Sequence, residues 1–391
     1  MKQSEFPKGW TISKLSKYIV QYKEKTTVNN QYPVLTSSRE GIMFQKDYFA
    51  NREVASQVNI GYNIVPKGYF TYRHMSDDFV FKFNINDLVD FGIVSTLYPV
   101  FNVKGVNKYF LKYYLNNSTE FQKYSRYHKQ GGSRTYMYLE KLKQMEVCFP
   151  PVKEQDIIAG ILMIWDEEIN KLSELINFEK TKQKEMINNI YRGKYYTRVD
   201  LNEKFSKLKN YITEVSTKNN ILLDNVLSVS NSKGFIPQDE QFDREVASKD
   251  KSKYKVIMRN EFAYNPSRIN VGSIDQLLTQ DCGILSPMYT VFKCNNNLNN
   301  RYLYHYLKSD LFLSTIPKFT QGSVRDSLSF DTLSSFKIFV PSVENQIDYA
   351  KLLDTVNEYI AKLECLLDLY KRQQKGLMQQ LLTGKIRVNV N

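Results

Sequence analysis

Two stretches of the chain place apolar residues on seven-residue grids. In the first, Trp165, Leu172 and Met186 share one grid, and Ile169, Ile176 and Ile190 share another, four residues further on. The second stretch repeats the arrangement with Val356, Leu363, Tyr370 and Leu377, and with Ile360, Leu367 and Leu381. Paired grids of this kind make an apolar stripe along one face of an α-helix. Prolines precede each run and Gly193 or Gly384 follows it, which are boundary signals. Each predicted helix has about 40 residues and a length of ~60 Å at ~1.5 Å per residue. Matching stripes favour packing the two helices on each other as a coiled coil, and a twofold axis across their length makes them antiparallel. Gln183 and Gln374 fall in the same slot of the two runs. Either they sit in the seam, where a polar residue fixes register, or both face water.

The helices belong to a larger repeat. Shifted by 191 positions, "QGGSR" (Gln130–Arg134) falls on "QGSVR" (Gln321–Arg325), and the match continues without a gap for about 65 residues, to "RGK" (Arg192–Lys194) on "TGK" (Thr383–Lys385). Upstream it weakens and drifts by one or two positions. There "GIVSTLYPVF" (Gly92–Phe101) meets "GILSPMYTVF" (Gly283–Phe292), "VLTSSREGI" (Val34–Ile42) loosely meets "LSVSNSKGF" (Leu227–Phe235), and "REVAS" occurs twice, at Arg52–Ser56 and Arg244–Ser248. The period is too long for a solenoid. The chain therefore reads as two copies of one unit, a divergent front followed by a uniform helical tail, or a pseudo-twofold dimer fused into one polypeptide. A segment alike in both fronts reads as scaffold, so Val54 and Val246 are expected to face the domain cores, and Arg52 and Arg244 either to be solvated, the favoured reading, or to touch phosphate. Sequence readers are expected where the copies disagree.

Charge separates the two parts further. The chain of 391 residues carries a net charge of +13, and the helical tails are nearly neutral, so the positive charge lies on the fronts. That balance favours a polyanionic partner for the fronts and protein contacts for the helices. The start, "MKQSEFPKGW", has no apolar signal region, and the longest apolar run, near Ile157–Trp165, is far short of the ~20 residues of a membrane span. Cys148, Cys282, Cys294 and Cys365 are scattered, with no C-x-x-C pair. A cytoplasmic location fits these features.

A search for catalytic chemistry finds little. "TGKI" ends in isoleucine where a phosphate loop needs a hydroxyl, and no G-x-G-x-x-G occurs. His74, His128 and His305 are far apart in sequence, which argues against a histidine metal site or triad. "FPPV" (Phe149–Val152) and "YNPS" (Tyr264–Ser267) each miss a residue of an amino-methyltransferase motif and read as structural. The fronts instead carry polar residues in loop-like contexts at matching places. These are Ser37, Ser38, Arg39 and Arg73; Gln130, Ser133 and Arg134; Asn231 and Lys233; Asn265, Ser267, Arg268 and Asn270; and Gln321, Ser323 and Arg325. Arg and Lys suit guanine edges or phosphates, and Asn and Gln suit adenine edges, so the set reads as a DNA-contacting surface. The ordinary alternative, for any one of them, is a surface turn.

These features together resemble the specificity subunits of type I restriction–modification enzymes over essentially the full length. The likeness rests on the twice-repeated front and long helix, "PPVKEQ" leading into the first helix, "QKGLMQQLLTGKIRV" (Gln374–Val388), "YNPSRINVGSI" followed by "GILSPMYTVFK", and the early "PKGW" (Pro7–Trp10). It departs at "PSVENQ" (Pro341–Gln346), where Ser342 and Asn345 are off pattern, and in the second front, which lacks a match to Trp10. The resemblance implies an α+β chain of two mixed α/β target-recognition domains, residues 1–152 and 199–343, separated by spacer helices, residues 153–198 and 344–391, packed as an antiparallel coiled coil. It implies a non-catalytic subunit in which each domain reads one half of a bipartite, asymmetric DNA target. The helices would set the unread gap and dock two methyltransferase subunits, with restriction and translocase subunits joining to cut DNA. No cofactor or metal is implied on this chain, and S-adenosylmethionine, ATP and Mg2+ would act on the partner subunits. Half-sites of a dimeric reader lie ~34–36 Å apart, a separation that a ~60 Å helix spans. The competing readings are a stand-alone DNA-modifying enzyme and a coiled-coil DNA-binding scaffold or repressor.

Overall fold

The computed structural model describes residues 7–48, 58–128, 134–194, 204–220, 223–238, 250–320 and 327–389. Its fold is mixed α/β with two 40-residue helices, a central one at Val152–Tyr191 and a C-terminal one at Val343–Leu382. The chain divides into two compact units, residues 1–172 with 366–391, and residues 173–365. Each unit therefore holds one front, the first half of the helix that follows it, and the second half of the other helix. Both copies of REVAS, and with them Arg52, Val54, Arg244 and Val246, lie outside the described residues.

In the first unit a four-stranded antiparallel sheet has the order Ile19–Tyr22, Val100–Val103, Phe70–Tyr72, Phe83–Ile85. The second unit repeats it as Ile212–Val215, Thr290–Cys294, Phe262–Tyr264, Ile274–Gln276. All three residues of "FTY" and of "FAY" are buried, so these strands show no inside–outside alternation. Their rings meet the same partners in both copies. Phe70 stacks on Phe101 at 4.8 Å and Phe262 on Phe292 at 5.1 Å. Tyr72 and Tyr264 lie edge-on to the same phenylalanines, and their hydroxyls donate to the carbonyls of Met137 and Leu328.

The helices enter both cores. Ile158, Ala159, Leu162, Leu381 and Leu382 are buried with the aromatic residues of the first unit, and Ala350, Leu353, Ile190 and Tyr191 with those of the second. Within each unit the helix halves run antiparallel. In the first, Trp165 lies edge-on to Tyr370 and Gln374 donates from Nε2 to Asp166. In the second, Gln183 hydrogen-bonds Asn357 and Lys180 pairs with Glu364 at 2.6 Å. Gln183 and Gln374 thus make equivalent cross-helix bonds, since Asn357 is the counterpart of Asp166. Trp165, Ile169, Leu172, Ile176, Gln183, Met186, Ile190, Val356, Ile360, Leu363, Leu367, Gln374, Leu377 and Leu381 are all buried or half-buried on helices whose other positions are mostly exposed.

The "E-Q" or "N-Q" at each helix start joins helix to front. The Gln155 amide donates to the Pro150 carbonyl at 2.8 Å, while its Oε1 accepts from the backbone N–H of Asn107 at 2.8 Å. Gln346 does the same with Pro341 at 2.8 Å and Asn299 at 2.7 Å. Asn107 and Asn299 are in turn the N-caps of the front helices Lys108–Asn117 and Asn300–Leu307. The departures from pattern also have structural reasons. Glu154, buried, forms a two-pronged pair with Arg387 at 2.7 and 2.8 Å, and the positions that match this pair in the second copy hold Asn345 and Tyr196, the latter outside the described residues. Ser342 accepts from the Asn345 N–H at the start of its helix. Gly384 ends the C-terminal helix at φ +70°, and a Cβ there would lie 2.5 Å from Pro7 and 3.0 Å from Trp10. Gly193 ends the central helix at φ +67° against Phe339 at 3.0 Å, so Phe339 covers in the second unit what Pro7 and Trp10 cover in the first.

A further cluster ties the second front to the C-terminal helix. Arg301 pairs with Asp354, whose carboxylate also accepts from His305 Nε2 at 2.9 Å. Burial pushes the His305 pKa down to about 4 against the pull of Asp354. The unfolded chain, with an ordinary histidine, then binds more protons than the native one between pH 6.5 and about 4, so His305 contributes stability that is lost as pH falls through this window. Two measurements follow. The NMR titration of His305 should have its midpoint near 4; a midpoint near 6.5 would contradict the burial argument. Gln155→Ala and Gln346→Ala should each lower unfolding free energy by about 2 kcal/mol, because each leaves buried backbone groups unpaired. A loss below about 0.5 kcal/mol in chemical denaturation would remove the junction role.

Candidate DNA-recognition surfaces

Each front carries a β-hairpin fastened to its sheet beside the end of the central "FxY" strand. In the first unit the hairpin pairs Leu35–Ser37 with Ile42–Phe44. Ser37 is a strand residue and is buried, with its hydroxyl donating to the Thr71 carbonyl at 3.2 Å and accepting from Asn84 Nδ2 at 2.8 Å. The expectation of a loop-exposed Ser37 is therefore corrected, because this hydroxyl is spent on holding the hairpin down. Ser38 closes the turn through the Gly41 carbonyl and is half-buried. Arg39 is exposed at the tip and reaches Asp78 at 2.6 Å. Its guanidinium, with help from the Ser76 hydroxyl, holds the Asp78 carboxyl down to about 2.

Arg134 pairs with the neighbouring Asp77 at 3.0 Å. Arg73 follows the strand Phe70–Tyr72, is exposed, and has no ion pair among the described residues. Ser38, Arg39, Arg73 and Asp77 line one open groove of about 710 Å³, with Tyr48 and Lys82. Burial and the nearby Lys112 push the Lys82 pKa down. The groove edge thus offers arginine donors beside carboxylate acceptors, a mixture that suits base edges better than a uniform phosphate track. Asp77 and Asp78 were not among the residues singled out from sequence, and "SDD" carries no distinguishing local signal.

The second unit builds its surface differently on the same frame. Its hairpin pairs Leu227–Ser230 with Gly234–Pro237, and Asn231 and Lys233 are exposed at the tip. The segment after Phe262–Tyr264 turns over Pro266. Asn265 is buried, its Oδ1 accepting from the Ser267 N–H at 3.0 Å, which corrects its placement among exposed readers. Ser267, Arg268 and Asn270 are exposed on this turn. Ser273 closes it by donating to the Val229 carbonyl at 2.8 Å, which joins turn and hairpin into one surface. Gln130, Ser133, Gln321, Ser323 and Arg325 lie outside the described residues.

Another feature escaped the sequence reading. In "TYMY", Thr135 and Met137 are buried while Tyr136 and Tyr138 are exposed, a strand-like alternation that was legible as such. Thr135–Tyr136 pairs with Met75–Ser76, at the groove side of the first unit. Among the described residues no cluster of His, Cys, Asp or Glu could hold a metal ion, and no helix is long and apolar enough to cross a membrane.

Comparison with known proteins agrees with this architecture. The family model described as the type I restriction modification DNA specificity domain matches twice, at residues 7–180 and 168–365. The chain belongs to that family; it is a DNA-recognition subunit with two specificity domains, acts with partner enzymes and is not itself catalytic. The putative type I restriction enzyme MjaX specificity subunit of Methanocaldococcus jannaschii is 23% identical over 311 residues, 73% of this chain and 70% of that one. The fold is similar to the type I restriction-modification S subunit of M. genitalium, with TM-score 0.56, 13% identity and coverage of 95% and 96%. It is equally similar, at TM-score 0.56, 12% identity and coverage of 97% and 99%, to a chain solved in work on complex assembly and conformational transition of the type I R-M system.

Arg73→Ala should weaken duplex binding across sequences and reduce the slope of log affinity against log salt by about 1, as for loss of one phosphate contact. Ser37→Ala should lower stability while leaving the recognised sequence unchanged. An altered target for Ser37→Ala, or an unchanged salt slope for Arg73→Ala, would contradict these assignments.

Proposed function

We propose that each unit reads one half of a bipartite, asymmetric DNA target, and that the two long helices set the unread gap between the halves. Residues 1–152 and 199–343 act as the recognition domains, and residues 153–198 and 344–391 as spacers. The observation that carries this reading is the contrast between equal frames and unequal edges. The aromatic core, the glutamine junctions and the hairpin position repeat between copies, while the exposed residues at the hairpin and strand ends do not. Arg73, for example, stands where the second copy has Asn265. Within this reading, Ser38, Arg39, Arg73 and Arg134 contact DNA in the first unit, and Asn231, Lys233, Ser267, Arg268 and Asn270 in the second.

The helices also dock two copies of one partner, the methyltransferase subunit, with restriction and translocase subunits completing the complex. Support comes from exposed apolar pairs at matching positions of the repeat. Leu175 and Phe178 are exposed on the central helix, and Leu366 and Leu369 on the C-terminal helix. Each pair spans three residues and so occupies one helix face, and exposed apolar patches mark protein-binding sites. Work in the cytoplasm, next to chromosomal DNA, fits this role. S-adenosylmethionine, ATP and Mg2+ act on the partner subunits, and this chain holds no cofactor.

Exchange of residues 1–152 for the corresponding front of another such chain should change one half of the methylated site and keep the other; a change in both halves would refute modular reading. Phe178→Asp and Leu369→Asp should each cost one copy of the methyltransferase subunit, and the double variant both, as measured by the mass of the purified complex. Full stoichiometry in the double variant would remove these patches as the docking surface.

A further inference from the structure

Tyr136 and Tyr138 form a pre-built ring stack on the first unit. Their rings lie 5.8 Å apart at 11°, and both rest on His74, Tyr138 at 5.0 Å and 26° and Tyr136 at 5.9 Å and 35°. The base of the stack is held firmly. His74 is buried and its Nδ1 meets the Leu97 carbonyl, while its own carbonyl accepts from the Met137 N–H at 2.7 Å. The side chains of Thr135 and Met137 are buried, and the Met137 carbonyl accepts from Tyr72. The tyrosines themselves are 40% and 55% exposed, and no hydrogen bond of either hydroxyl is present among the described residues. Arg73, adjacent to His74 in sequence, and Arg134, adjacent to Thr135, bring positive charge to the same edge. The stack has no counterpart in the second copy, where Ser327, Ser329 and Pro266 stand at the positions of Tyr136, Tyr138 and His74.

We propose that the Tyr136–Tyr138 face stacks against a nucleobase of the half-site read by the first unit, at a step where the duplex is kinked or opened. Aromatic side chains anchored from beneath and flanked by arginine combine a stacking surface with phosphate attraction, and such rings accept any base. The stack therefore adds affinity and tolerance of deformation to the first half-site only. Lateral contacts at the groove, through Arg39, Asp77 and Asp78, supply the base-edge discrimination.

This inference rests on the DNA-reading role proposed above, and the test separates the two. The complex of the full chain with its methyltransferase subunits is titrated with a duplex of about 40 bp, carrying the methylated site read from genomic DNA of cells that express the complex. Tyr136→Leu/Tyr138→Leu should bind about tenfold more weakly, as expected for loss of one stacked base. Tyr136→Phe/Tyr138→Phe should bind within about twofold of the native complex, because the ring and not the hydroxyl does the stacking. The salt slope should be the same in all three. Equal melting temperatures check that the exposed substitutions leave the fold intact. Native affinity in the leucine variant, or equal losses in the leucine and phenylalanine variants, overturns the stacking inference. Failure of the native complex to prefer its site over unrelated duplex would instead bring down the reading on which the inference stands.

Discussion

The structure depends on how a short front is held to a long helix. A helix of 40 residues is stable only where its apolar face is covered, and the recognition surfaces are useful only if fixed relative to it. One buried glutamine per copy meets both needs. Gln155 and Gln346 bind the proline carbonyl five residues back and, at the same time, the backbone at the N-cap of a front helix. Two strong hydrogen bonds in a dry site leave the amide no alternative pose, because any rotation would strand buried polar groups. Asn107 and Asn299 extend the connection by capping their helices. The apolar face is then covered from both sides, by the aromatic core of the front and by half of the other long helix.

This arrangement explains which residues the two copies share. Residues that hold the frame recur with the same partners. The phenylalanine pairs, the tyrosines bonded to Met137 and Leu328, and the cross-helix glutamines with their partners at matching positions are examples. Residues at the open edges differ, and they are fastened to the frame by a few side-chain bonds such as those of Ser37 with Thr71 and Asn84 and of Ser273 with Val229. Edges of that kind exchange freely without disturbing the core. The ion pair of Glu154 with Arg387, against Asn345 and Tyr196 in the other copy, shows that frame contacts also diverge, but as pairs.

The long helices were legible in the sequence because a helical period repeats over about ten turns, and no local preference competes with a pattern of that length. The doubling was legible because the frame is kept alike between copies within a single chain. The front strands were not. "FTY" and "FAY" are buried on both faces, so they lack the alternation that marks a strand, and three residues are too few to count. Among the candidate readers, Arg39, Arg134, Arg268, Asn231, Lys233, Ser267 and Asn270 follow from polar residues near glycine or proline, whereas Arg73, at a strand end, does not. Ser37 and Asn265 do not, because hydroxyl and amide groups serve buried turns as readily as ligands. Tyr136 and Tyr138 lack the charged or amide groups that mark candidate base readers, although "TYMY" alternates as a strand does.

The central claim is that one chain carries two independent readers at a fixed separation. The most direct measurement is sequencing of methylated adenines in the genome of cells that make this chain with its methyltransferase subunits. The account predicts one bipartite motif with two unlike halves and an unread gap of constant length. A continuous motif, a palindrome with identical halves, or a gap that varies from site to site would contradict it.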